Sequence, residues 1–183
     1  MKKIILDLAV TLDGFIEGPN GEIDWCIMEE GEGNDFIHFL NGIDTIFYGR
    51  VSYDMWGNWQ PDETMSKTIR EAYAIIHQQK KYVFSSTRKS DEGQATFISS
   101  DIARHVQEIR QQPGKDIWLY GGGKLIHTFM KLGLVDIFRL AVHPVLLGAG
   151  KPLFSGIKER VGLELANVKT SPAGVAMMTY VRK

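Results

Sequence analysis

The residues best suited to chemistry lie where apolar runs meet glycine. Residues 117–126 read IWLYGGGKLI: a strand-like run, three glycines, then a helix-like stretch. Glycine lets a ligand approach the backbone closely, and a helix start presents unpaired N–H donors and a favourable dipole, so the junction suits a phosphate. It fits neither GxGxxG, because Ile126 stands at the last glycine position, nor GxxxxGK[ST]. A second junction, IFYGRVSY at 46–53, repeats the logic, with Tyr48-Gly49 echoing Tyr120-Gly121. Arg50 falls at its helix start, where a cation opposes the dipole unless an anion lies between. A third group, Ser85-Ser86-Thr87-Arg88, follows the run KKYVF; hydroxyls and a guanidinium suit a phosphate monoester such as the 2′-phosphate that separates NADP from NAD. Each group alone also fits a tight turn. Their combination in one short chain favours a nucleotide.

The elements that must hold these groups alternate along the chain. Strand-like segments are expected at 3–10, TIFYG, KKYVFSS, ATFIS and IWLYG. Helices are expected at 34–41, with Asn34 as cap, from Arg50 to Met55, over Asp101–Gln112 and at 124–131. Residues 67–77 fit a helix or irregular chain, and DGFIEGPNGEIDW and GNWQPDETMS read as loops. Apolar strands alternating with helices imply crossovers and a mostly parallel sheet buried on both faces. The strand-like runs DIFRLAVHPVL, 163–169 and 175–182 give that sheet an antiparallel end. No linker or repeat divides the chain, so one α/β domain over 1–183 is expected, with the two glycine junctions facing one crevice at the strands' C-terminal ends.

Composition narrows the partners. A net charge of −1 and scattered Lys/Arg leave no footprint for nucleic acid. The single cysteine, Cys26, excludes an intramolecular disulfide and a cysteine-built zinc site, and the five histidines lack metal-ligand spacing. The N-terminal apolar run is interrupted by Asp7, and no stretch reaches the ~20 apolar residues of a membrane span. The expectation is a cytoplasmic protein. Asp7 needs a partner if buried, as a substrate-facing acid or a structural acceptor. His143 fits the crevice or the core, and Trp25, Trp56 and Trp59 fit substrate stacking or loop packing.

The segments LAVTLDGFIEG, FYGRVSY, YVFSSTR and IWLYGGGKLIHTF stand in the order and spacing of the dihydrofolate reductase superfamily, which the chain resembles over nearly its whole length. VHPVLLGAGKPLF resembles its riboflavin-pathway branch, the reductase domain acting on a ribosylated aminopyrimidine. The resemblance implies a three-layer α/β fold with a mostly parallel central sheet, antiparallel C-terminal strands and helices on both faces. It implies NADPH as cofactor, a small-molecule substrate and a homodimer. Ala9 and Ile16 would lie beside the nicotinamide. Gly49, Arg50, Val51 and Ser52 would hold the diphosphate, Ser52 standing where threonine is commoner. Ser85, Ser86 and Arg88 would surround the adenosine end and its 2′-phosphate, and Gly121, Gly122, Gly123, Lys124 and Leu125 would complete the diphosphate cradle. Asp35, before Phe39, stands near the place of the acid that binds the pterin ring; it fits a proton source for the substrate or an ordinary first-turn carboxylate. Two departures, the wider spacing from Trp25 to Asp35 and Ile126 in place of a tyrosine, point away from folate reduction. The implied activity is reduction of a C=N or C=O bond in a small heterocycle or carbonyl compound; the alternative is a nucleotide-binding module without catalysis.

Overall fold

A computed structural model describes residues 1–27, 33–90 and 94–183. In chain order the elements are β1 (Ile4–Thr11), β2 (Phe15–Glu17), α1 (Gly33–Asn41), β3 (Ile43–Gly49) and α2 (Arg50–Ser52), which runs into a π-helical turn at Tyr53–Gly57. There follow α3 (Lys67–Gln78), β4 (Lys80–Phe84), β5 (Thr96–Ile98), α4 (Ile102–Gln111), β6 (Asp116–Gly121) and α5 (Gly123–Lys131). β7 (Ile137–His143), β8 (Lys151–Pro152), β9 (Leu163–Thr170) and β10 (Ala176–Arg182) complete the chain. The fold is α/β, with a mostly parallel sheet and antiparallel C-terminal strands, as the alternation of apolar runs and helices implied.

Two compact units share these elements: Met1–Lys3 with Glu29–Gly122, and Ile4–Met28 with Gly123–Lys183. In the first unit the strand order is β5-β4-β3-β6, with every neighbour parallel. These strands are near-continuous apolar runs because both faces are covered. Ile46, Phe47 and Tyr48 of β3 and Ile117 and Leu119 of β6 are fully buried. α3 opens on Ser66, whose Oγ accepts from the Ile69 N–H at 3.3 Å, and buries Ala72 and Ile76, four residues apart on one face. That resolves residues 67–77 as helix. α4 begins after Asp101, whose left-handed backbone (φ 46°) starts the helix without a side-chain cap.

In the second unit the order is β1-β7-β10-β9; β1 and β7 are parallel, while β10 is antiparallel to both of its neighbours. Leu6, Phe138, Leu140, Ile126 and Phe129 contribute to its buried residues. β2 and β8 form a two-stranded ribbon, so the segment expected as a loop after Asp13 carries a short strand. β9 is exposed along all eight residues and forms the edge. Among the described residues, no helix is long and apolar enough to cross a membrane.

Candidate active site

Three of the sequence's glycine and hydroxyl groups meet at one edge of the first unit. β4, β3 and β6 are parallel neighbours, and the register sets Gly49 opposite Phe84 and Tyr48 opposite Gly121. The C-terminal ends of the three strands therefore stand side by side. At about 4.8 Å per strand, Gly49, Ser85 and Gly121 fall along an edge roughly 10 Å wide. This is where a parallel sheet leaves room for a ligand.

The junction after β3 turns without a side-chain cap. Gly49 is extended (φ −74°, ψ 151°), α2 lasts three residues, and the π-helical turn follows. Ser52 is half-buried, and Val51 is 57% exposed. Across the edge, Gly121 has φ 107°, a conformation that excludes ordinary side chains, and a Cβ on Gly122 would sit 2.9 Å from the Ser52 Oγ. The Gly121–Gly122 peptide is cis. Gly122 thus lets the chain pass close to the Ser52 hydroxyl, where a side chain would crowd it.

Arg50 and Arg88, expected at different phosphates, converge on one carboxylate. Arg50 Nη1 donates to Asp54 Oδ2 at 2.8 Å, and Arg88 Nη1 donates to Asp54 Oδ1 at 2.6 Å. All three side chains are roughly a third to two-fifths exposed. The Arg88 guanidinium lies 5.2 Å over the Phe97 ring, and its Nε donates to the Ser90 carbonyl. Buried Ser85 orders the turn: its Oγ accepts from the Arg88 N–H at 2.9 Å and the Thr87 N–H at 3.2 Å. Ser86 is exposed. Asp54 is absent from the sequence-based site; its i,i+4 spacing from Arg50 on a helical turn is the signal that marks it.

Behind this edge lies an aromatic layer. Tyr48 and Tyr120 pack at 4.8 Å, Trp118 and Tyr120 at 4.9 Å, and Phe36 and Phe39 of α1 meet the Trp118 ring edge-on. Burial pushes the Tyr48 and Tyr120 hydroxyls far above the usual phenol range. Asp35 stands exposed in the first turn of α1, beside Phe36. Trp56 packs on Trp59, which packs on Tyr73, so these two tryptophans join loop to helix.

Residues 2–177 match the RibD C-terminal domain family. The chain belongs to that family. Protein YyaP of Bacillus subtilis (strain 168), itself uncharacterized, is 54% identical over 98% of this chain and 94% of its own. YwjB of the same organism, also uncharacterized, is 32% identical over 99% and 98%. The fold is shared by a pyrimidine reductase-like protein of Corynebacterium diphtheriae (TM-score 0.65, 16% identity, all of this chain and 92% of that one). It is also shared by a diaminohydroxyphosphoribosylaminopyrimidine deaminase/5-amino-6-(5-phosphoribosylamino)uracil reductase of Thermotoga maritima (TM-score 0.70, 14% identity, all of this chain and 57% of that one).

The second unit of this RibD C-terminal domain holds the remaining candidates. Ala9 pairs with Ala141 in β1–β7, and Ile16 lies in β2. Gly123 opens α5; a Cβ there would come 2.8 Å from Lys151 Cε and 3.6 Å from Ile16 Cδ1. Lys151 also pairs with Glu17 at 3.0 Å, an interaction the sequence did not reveal. Lys124 is exposed, while Leu125 is buried, leaving only its backbone for a ligand. Ile126 is 1% exposed, so the residue that departs from the reductase pattern is a core residue here. Asp13 accepts from Thr11 Oγ1 and from the Leu147 and Gly148 N–H groups, which holds its carboxyl below the usual range. His143 is buried, with Nδ1 accepting from the Ile27 N–H at 3.2 Å and Trp25 edge-on at 5.4 Å. Among the described residues, no group of three or more His, Cys, Asp or Glu is placed to hold a metal ion.

Proposed function

We propose that this chain is an NADPH-dependent reductase of a small heterocyclic or carbonyl substrate, within one functional domain spanning 1–183. The observation that carries the reading is the pair of arginines drawn onto a single anion beside two glycine turns, in a member of a reductase-like family. The fit to a phosphorylated nucleotide rests on features of this edge: the bare Gly121-Gly122 backbone beside the Ser52 hydroxyl, the extended Gly49, and two guanidinium groups already gathered.

In this reading Arg88, with Ser85 and Ser86 shaping its turn, takes the 2′-phosphate, and Gly49, Arg50, Val51, Ser52, Gly121 and Gly122 take the diphosphate. Gly123, Lys124 and Leu125 extend that set, and Ala9 and Ile16 border the nicotinamide. The bound cofactor supplies a hydride to a C=N or C=O bond; the protein supplies position and a proton. Asp35 is the carboxyl proposed to deliver that proton or to hydrogen-bond an amino-heterocycle. The homodimer is proposed to form along β9, a fully exposed edge strand carrying Leu163, Leu165 and Val168. In the cytoplasm, the proposed compartment, NADPH is available.

Thermal stabilisation by NADPH tests the cradle, and NADPH oxidation with aminopyrimidine ribosides, dihydrofolate and small carbonyls tests catalysis. Binding together with oxidation of one substrate class is the expected result. Binding without turnover on any of them identifies a nucleotide-binding module. No stabilisation at about millimolar NADPH overturns the reading.

A further inference from the structure

Asp54 occupies the anion position between Arg50 and Arg88, one oxygen on each guanidinium. We propose that Asp54 is an internal competitor at this pair: a carboxylate that a phosphate monoester must displace, so that its charge sets how tightly the monoester is held. The inference rests on the reading of this edge as a phosphate site and adds the competing anion built into it.

Geometry and charge carry the argument together. The two arginines come from different strand ends, yet a carboxylate spans them, so the donors already converge on one small anion. The Arg88 guanidinium is also fixed by the Phe97 face and the Ser90 carbonyl, and its backbone N–H by Ser85 Oγ. The Arg88 donor therefore remains arranged when the carboxylate leaves. Asp54 is itself partly in water, so its two ion pairs are weak and its release is cheap.

The exchange balances without proton transfer. The monoester's oxygens take the two Nη donors, which draws Arg50 from the diphosphate assigned to it above to the 2′-phosphate, and the Asp54 carboxylate passes to solvent. A phosphodiester carries one negative charge, the same as the carboxylate it would replace, and gains nothing. A monoester carries about −1.5 to −2 at pH 7 and wins the exchange. A 2′-phosphate meets that condition; a diphosphate bridge, built of singly charged groups, does not.

The test is titration of NADPH, NADH and 2′-AMP against the wild type and Asp54→Asn, by calorimetry. The expected result is tighter binding of NADPH and 2′-AMP by about tenfold in the variant, with NADH unchanged. Asp54→Ser should behave alike, and it replaces Asp54→Asn should that variant fail to fold. Weaker or unchanged NADPH binding in both variants overturns the inference, as does equal tightening of NADH. These failures are separable from failure of the function itself. If the wild type prefers NADPH to NADH and Arg88→Ala removes the preference, the phosphate site stands and only the role of Asp54 falls. If the wild type shows no such preference, both fall together.

Discussion

Each unit contains a charged contact between strands or strand ends, and burial separates what the two can do. In the first, Arg50, Asp54 and Arg88 meet at the strand ends with their side chains 34–43% exposed. In the second, Asp7 and Arg139 face each other across β1 and β7, 10% and 16% exposed, with Nε 3.4 Å from Oδ1. Water screens the first cluster, so it contributes little to stability. The buried pair is held by what surrounds it: losing one partner leaves a charge that the interior cannot solvate. The same residue types thus stand screened by water at the rim and fixed by their surroundings inside.

The contrast can be broken most directly at Arg139. Arg139→Met should lower the unfolding free energy by about 3–5 kcal/mol at neutral pH, read from urea denaturation. A loss no greater than that of Arg88→Met would erase the distinction. Next comes pH. Burial pushes the Asp7 carboxyl up to about 6 from its ordinary 3.8, against the opposing pull of Arg139. Because the folded pKa lies above the unfolded one, the folded state binds more protons between them. The favourable contribution is full below 3.8 and lost as pH rises through about 6. Relative to Asp7→Asn, the wild type should lose about 3 kcal/mol of stability across that window; a constant gap would show that Asp7 keeps its ordinary titration.

At the rim the effect should fall on binding. Arg88→Ala should weaken NADPH by about ten- to a hundredfold, the worth of hydrogen bonds to a charged group, and leave NADH nearly unchanged. Equal losses would remove Arg88 from the 2′-phosphate. Smaller still is a contrast between two glycines of the same edge. Gly121→Ala should cost about 1–3 kcal/mol because φ is 107°, whereas Gly49→Ala, at φ −74°, should change stability by less than about 1 kcal/mol. Least of all, Arg88→Ala should shift the unfolding free energy by less than about 1 kcal/mol.

Much of the architecture was legible because hydrophobic period and glycine placement are local signals. The strand run of β3, the helix α4 and the turn after KKYVF lie within a residue or two of their sequence-based limits. The short strand β2 was not legible; three residues of a ribbon leave no period to read. Nor was the depth of Ile126. Sequence marked it as a departure from a reductase pattern, and burial shows it serving the core.

Sequence by itself determined the alternation of strands and helices, the two glycine turns and the residue types that favour a phosphorylated nucleotide. These follow from backbone freedom and side-chain chemistry, which each residue carries along the chain. Only the tertiary structure decided that Arg50 and Arg88 share the Asp54 carboxylate and that Asp7 faces Arg139. Parallel pairing of β4, β3 and β6, and of β1 with β7, brings together residues distant in sequence. Burial then sets whether their charges are screened by water or held in the interior.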